Sequence, residues 1–425
     1  MIKVAIELND RGFSGVDIRD VINGNPGIGG SEYLFSLLAL YLHEKSDEID
    51  VTILHYQTTN LMSDIPDKII QNEKDLIDQS ENLKCDILIH QVNKTKQWYQ
   101  HLETTSLKVM SWAHTYPVYE EVLCMEKCGN VRRVIFVGKE EYDAYIDTDL
   151  IKKSTYIYNM INTNIFIGDR AVSKPIVTYV GSLVPVKGFH LLAEIWQEII
   201  KDIPNAELNV VGTGRVYDKN AKMGKYGVAQ KEYEEQFMPF LTDKTGNVIP
   251  SVHFLGILGN NKNEVFRSTK VGVVNPSAKT ETFCLSAIEM ELCGIPVVSR
   301  KKWGLLDTVN NSKTGFLFKN KKDFKKKIIR LLRDDDLNLQ MGENARKFVR
   351  NTFDVETIIE YWINEIKKVY TDVEPKYLKV AGNYFNDYKI IKILFRSIRF
   401  NLKIQKFPSF IKLKYTIQNI VHRGI

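Results

Sequence analysis

Apolar residues come in short blocks separated by polar, glycine-rich stretches. Residues 3–8 read as a buried strand, and a polar stretch at 9–30 leads into a helical pattern over 33–42. Further strand-like blocks stand at 51–54, 86–90, 107–111 and 134–137, the last followed by a helix candidate at 139–146. The polar run 168–175 interrupts the series, which then restarts. Strands are expected at 176–180, 208–211, 252–255, 271–274 and 296–299, and helices at 189–200, 286–292, 324–332, 337–351 and 355–369. Strands alternating with helices predict parallel sheets built from βαβ units. Two such series in tandem predict two doubly wound domains, with the ligand expected at the carboxyl edges of the strands and in the cleft between the domains.

A chain of 425 residues with 44% apolar content has room for two or three cores. The longest apolar run, 33–42, is too short for a membrane span and ends in His43, Glu44 and Lys45. The N-terminal residues turn acidic too early for a signal peptide. The five cysteines are scattered and odd in number, and Cys124 and Cys128 lack a second pair or a histidine cluster to complete a metal site. A cytoplasmic location is the expectation. The net charge of +6 is uneven. Residues 376–425 hold eleven Lys and Arg against one acidic residue, Asp387, while the rest of the chain is slightly acidic. With that body and no binding motif, nucleic acid is not expected as a partner.

The stretch from Glu281 to Gly294 sets two glutamates eight positions apart. An acid/base pair, metal ligands and separate grips on a polar substrate are all open to such a spacing. On a continuous helix the two would be turned by roughly 80°, which argues against a close pair sharing one proton. Around them lie further patterns in order: Tyr179 to Gly188 (YVGSLVPVKG), Val210 to Gly214 (VVGTG), Val252 to Gly256 (VHFLG), Cys293 to Val298 (CGIPVV) and Gly315 to Phe318 (GFLF). In this order they resemble the donor domain of the family 4 glycosyltransferases, which have the GT-B fold. Gly29-Gly30-Ser31-Glu32 and the 157–162 segment with Phe166 resemble the family more weakly, and the resemblance spans roughly residues 1–370.

The resemblance implies two Rossmann-like domains facing a central cleft. The N-terminal, acceptor-side domain would occupy 1–168 and the nucleotide-sugar domain 169–353. A closing helix at 354–372 would return toward the N-terminal domain, and a tail would follow at 373–425. It also implies transfer of a sugar from a nucleotide-diphosphate sugar to a saccharide or lipid-linked acceptor, with retention at the anomeric carbon and without a metal. The implied catalytic residues are Lys187, on the diphosphate, Glu281, on the donor sugar, and His114, facing that sugar. Donor contacts are implied at Gly29, Gly30, Gly181, Ser182, Gly212, Gly214, Phe283, Cys284, Leu285 and Glu289, the last on the ribose hydroxyls. An ionised carboxylate accepts from two hydroxyls at once, which suits a diol. The N–H groups of the 283–285 turn suit an anion.

Two departures stand out. Thr282 and Cys284 flank Phe283 where the family often has glycine. Ser182 stands where it commonly has arginine, leaving Lys279 and Arg215 as candidates for a second cation. Ser182, together with Met160 and Asn162, keeps open a non-catalytic subunit that stabilises a partner enzyme. Asp334, Asp335 and Asp336 read as helix caps rather than metal ligands.

The tail has its own period. Tyr384, Tyr388, Ile391, Phe395, Ile398 and Leu402 recur at helical spacing, with Lys389, Lys392, Arg396, Arg399, Lys403 and Lys406 one position off. Pro408 breaks the pattern, which resumes briefly through Val421. A basic amphipathic helix from Tyr384 to Val421 can lie on an anionic membrane, on the inner face of the cell membrane, or pack on the N-terminal domain or a second subunit.

Overall fold

The computed structural model describes the whole chain except residues 12–16, 58–59, 62–63, 166–169, 171–173, 216–221, 377–378, 385, 405 and 424–425. The polar run 168–175, where the alternation breaks, and Phe166 fall largely or wholly outside the described residues. The chain divides into two compact units. The first comprises Met1–Val21, Ser31–Asn159 and Glu356–Ile425, and the second Ile22–Gly30 and Met160–Val355.

In the first unit the strands are β1 (Ile2–Leu8), β2 (Ile49–His55), β3 (Asp67–Ile69), β4 (Ile87–Gln91), β5 (Lys108–Ala113), β6 (Val131–Phe136) and β7 (Ser154–Tyr156). They form one parallel sheet in the order β3-β2-β1-β4-β5-β6-β7. Strands covered on both faces read as nearly continuous apolar runs, and β1, with Val4 through Leu8 all buried, is of this kind. The order reverses between β1 and β4, so the carboxyl ends of those strands frame the crevice of this sheet. The helix Val355–Tyr370 belongs to this unit from Glu356 onward. Its Trp362 meets Trp112 of β5 edge to face at 4.7 Å, and Glu365 pairs with the buried Arg133 of β6 at 2.6 Å.

The second unit holds β8 (Ile176–Val180), β9 (Glu207–Val211), β10 (Val252–Gly256), β11 (Val271–Val273), β12 (Val297–Arg300) and β13 (Gly315–Phe318). Its parallel sheet runs β10-β9-β8-β11-β12-β13. The reversal here lies between β8 and β11. Helix Phe189–Asp202 covers one face with Phe189, Leu192, Ala193, Ile195, Trp196 and Ile199 buried at helical spacing. Asn320 and Asp334 cap the helices Lys321–Arg333 and Asp335–Thr352 by accepting from Asp323 N–H and Leu337 N–H, both at 3.0 Å. Asp335 pairs with Lys270. The aspartate run thus ends one helix and starts the next.

The tail is helical over Lys389–Arg396, continues as a π-type turn at Ser397–Asn401, and resumes at Phe410–Arg423. The expected start at Tyr384 is not realised: Tyr388 has a left-handed backbone and stands before the helix. Lys389 is buried between Glu140 at 2.8 Å and Asp143 at 2.9 Å, and Arg399 is buried against Asp149 and the carbonyl of Asp147. Among the described residues no helix is long and apolar enough to cross a membrane.

Candidate active site

The reversal point of the second sheet gathers the sequence-marked residues from two loops. One leaves β8 and carries Gly181, Ser182 and Lys187. The other leaves β11 and carries Asn275, Lys279 and Glu281, then enters helix Leu285–Leu292. The Lys187 ammonium lies 2.9 Å from the Glu281 carboxylate, which also accepts from the Asn275 amide at 2.7 Å. Asn275 in turn donates to the Thr280 carbonyl at 3.1 Å and accepts from Ala278 N–H at 3.0 Å, so it ties the loop around the carboxylate. The two loops are also joined directly. Gly188, at φ +72°, would place a Cβ 2.5 Å from that of Ser277, and the Ser277 hydroxyl donates to the Val186 carbonyl. A side chain at 188 would push the Lys187 loop off its neighbour.

Glu289 lies within helix Leu285–Leu292 and meets a different lysine. Its carboxylate receives the ammonium of Lys262, the first residue of helix Lys262–Ser268, and both side chains are about nine-tenths buried. The two glutamates are therefore separate, each with its own cation. Lys262 was not singled out by sequence. It sits in the polar run 260–264, and only the burial of Phe266 on the same short helix marks the side that turns inward.

The turn between the glutamates is built as a helix start. Cys284 precedes the first helical residue, Leu285, and the opening N–H groups of such a helix have no partner within it. The side chains of Phe283 and Cys284 are buried. Phe283 stands edge to face with Phe353 at 5.3 Å, and burial, aided by the nearby Glu281 charge, raises the Cys284 thiol well above its usual range. Both side chains anchor the turn within the second unit.

The glycines mark close backbone approach. Gly212, at φ +137° after β9, would set a Cβ 2.0 Å from the Gly181 carbonyl, so neither loop end admits a side chain between them. Gly214 is packed on Ala229, whose Cα would lie 2.8 Å from an added Cβ. The segment Ile22–Gly30 joins this unit. Asn162 donates to the Ile22 carbonyl at 3.0 Å, and Asn25 shapes the turn by accepting from Gly27 and Ile28 N–H. A Cβ on Gly30 would come 3.2 Å from Leu285, which puts the Gly29–Gly30 turn beside the helix start. Ser182 is partly exposed, and both candidates for the missing cation, Lys279 and Arg215, are exposed.

His114 lies in the first unit, just after β5. It is caged by Trp112 at 4.4 Å and Phe35 at 5.6 Å, and burial lowers its pKa to about 3. It is a neutral imidazole over the ordinary pH range. Nearby in the fold order, the ends of β1, β2 and β4 carry a buried polar network. Glu7 accepts from Lys94 at 2.8 Å, Tyr56 at 2.7 Å and Gln91 N–H at 3.1 Å, while His55 bridges Asp10 and Asp67. Burial would raise the Glu7 carboxyl, but the Lys94 charge and these bonds hold it below its usual value.

Two doubly wound parallel sheets of this order, with helices on their faces, make the GT-B fold of glycosyltransferases. Residues 160–348, nearly the whole of the second unit, match the family described as glycosyl transferases group 1. The capsular polysaccharide biosynthesis glycosyltransferase CapM of Staphylococcus aureus is 30% identical over 209 residues, 48% of this chain and 46% of that protein. The poly(ribitol-phosphate) alpha-N-acetylglucosaminyltransferase of Staphylococcus aureus (strain COL) is 28% identical over 195 residues, 45% of this chain and 35% of that protein. The chain thus spans less than half the length of these two relatives. Among solved structures, Anabaena HepE in complex with UDP-glucose superposes with a TM-score of 0.66 at 16% identity, covering 87% of this chain and all of that one. A glycosyltransferase from Rickettsia africae gives 0.68 at 14% identity, covering 87% and 98%.

Proposed function

We propose that the protein is a retaining glycosyltransferase of family 4. In this reading it moves a hexose from a nucleotide-diphosphate sugar to a saccharide or lipid-linked acceptor, without a metal, in cell-surface polysaccharide or glycolipid synthesis. The acceptor is met at the inner face of the cell membrane. The observation that carries this reading is the pair of lysine–glutamate contacts, Lys187–Glu281 and Lys262–Glu289, at the reversal point of a sheet in the stretch that matches group 1 glycosyl transferases. Relatives named for capsular polysaccharide biosynthesis and for poly(ribitol-phosphate) support the pathway, and a neighbour bound to UDP-glucose makes uridine the first base to try.

In this mechanism the Glu289 carboxylate takes the ribose diol, displacing part of its contact with Lys262, which stays as the counter-charge. The diphosphate lies on the N–H groups at 283–285 and against the Lys187 ammonium. Gly181, Ser182, Gly212, Gly214, Gly29 and Gly30 let backbone approach the donor closely. Glu281 holds the sugar hydroxyls, oriented by Asn275, and the neutral His114 is the third catalytic residue of this reading. The bond between the anomeric carbon and the diphosphate oxygen breaks as the acceptor oxygen bonds to the same face. The departing phosphate oxygen takes the acceptor's proton. Lys187 stabilises the charge that builds on the leaving group, an interaction stronger in the transition state than in the ground state. The test is to incubate the protein with a panel of nucleotide sugars and acceptors and follow nucleotide release. NMR of the new anomeric proton then reads the stereochemistry. An axial donor giving an axial product supports the reading, and inversion or no transfer across the panel contradicts it.

A further inference from the structure

The tail is inverted relative to an ordinary amphipathic helix. Such helices bury their apolar stripe and leave lysines in water. Here Lys389, Lys392 and Arg399 point into the first unit and are buried. Glu140, Asp143 and Asp149 receive Lys389 and Arg399, and the Asp147 carboxylate accepts from Phe410 N–H. Asp143 also accepts from the N–H groups of Ala381 and Gly382, both at 2.9 Å, so the approach to the helix is fixed as well. The side left outward is apolar. Ile390, Leu394, Leu402, Ile404, Ile417 and Ile420 are all at least half exposed, with Leu402 and Ile420 at 66%. The rings of Tyr388, Phe395, Phe407 and Phe410 join the two helical segments, and Tyr415 packs on Tyr119 at 4.9 Å, so the apolar side chains sit on one anchored body.

The fringe of this face says what covers it. Lys403, Lys406, Lys412 and Lys414 are exposed along it, and the sequence has no acidic residue after Asp387. A twofold pairing of the face with itself would set lysine against lysine. A surface that is apolar below and anionic above suits both features. We propose that the outward face of 390–421 seats in an anionic lipid bilayer, its isoleucines and leucines among the acyl chains and these four lysines on the headgroup phosphates. The inner cations serve only to hold the tail on the protein. The proposal rests on the membrane-side acceptor of the proposed function and names the surface that reaches it.

Flotation of the full chain with vesicles tests it, using phosphatidylcholine alone and phosphatidylcholine with 30% phosphatidylglycerol. Wild type should float with the anionic vesicles, and L394E/I417E should lose at least tenfold in bound fraction. K403E/K412E should lose severalfold, and a fraction of wild-type binding should survive 500 mM NaCl because the apolar contact is not screened. A thermal shift with UDP should be the same in both variants as in wild type, which shows that they fold. Three results overturn the proposal: wild type left at the bottom with anionic vesicles, L394E/I417E floating like wild type, or wild type sedimenting as a dimer that L394E/I417E turns into a monomer. Flotation without any nucleotide shift would keep the docking face and count against the donor site instead.

Discussion

The two sheets reverse strand order in the same way, yet their carboxyl edges are used differently. In the second unit the edge presents the Lys187–Glu281 contact with Lys187 still 22% exposed, while Lys262–Glu289 behind it is about nine-tenths buried. In the first unit the corresponding edge is closed. Lys94 and Glu7 are both almost fully buried, and Tyr56, Gln91 and Glu73 complete their shell. His90 is held neutral beside them, its pKa lowered to about 3 by burial first and by the Lys94 charge second. A charged pair that can open to a ligand and a charged pair sealed in a core have opposite consequences when broken. Topology sets where ligands go; burial decides which charges can meet them.

The sharpest break of that comparison is Lys94→Met. It leaves the Glu7 carboxylate buried without its cation and should cost about 3–5 kcal/mol of stability. Urea unfolding would show the loss, while a UDP-induced thermal shift should persist. Lys187→Ala should do the reverse. Folding should change little, and kcat/KM in the transfer assay should fall about 100- to 1000-fold, the scale for removing one group that stabilises the charge developing in the transition state. A pH series separates the units again. His90 and His114 titrate near 3 in the folded chain, against about 6.5 when unfolded. Between those values the unfolded chain binds more protons, so stability is fully present above about pH 6.5 and declines as pH falls toward 3. At pH 5 each histidine should account for about 2 kcal/mol. His114→Phe should flatten the dependence of the urea midpoint between pH 7.5 and 5. The smallest expected effect is Ser182→Arg. Restoring the cation common in the family should tighten UDP binding severalfold, on the order of 1 kcal/mol, measured by titration calorimetry.

How much of this was legible in sequence follows from distance along the chain. The strand expected at 176–180 is Ile176–Val180; the glycines, Lys187 and Glu281 fall within loops whose turn chemistry is local, and Glu289 follows on the helix that the second loop enters. The closed edge of the first unit joins residues 7, 56, 73, 91 and 94, and no periodicity links them. Strand Asp67–Ile69 was not expected because all three residues are exposed at the sheet edge. Helices Glu73–Asn82 and Tyr119–Lys127 are polar enough to pass for loops; the Asn72 cap defines the first, and the burial of Val122 and Met125 the second. Lys262 had no local mark, since its partner Glu289 lies 27 positions away. In the tail, periodicity identifies both faces but not which turns inward. That depends on Glu140 and Asp143, some 240 residues earlier.

The central claim is that the carboxyl edge of the second sheet is a nucleotide-diphosphate site. The most direct test is titration calorimetry of UDP, GDP, ADP and CMP into wild type and Glu289→Ala. One nucleotide should bind wild type, and the loss of the ribose contact should weaken it by roughly 1.5–3 kcal/mol, about 10- to 150-fold. No binding to wild type at millimolar nucleotide, or equal affinity in the variant, would contradict the account.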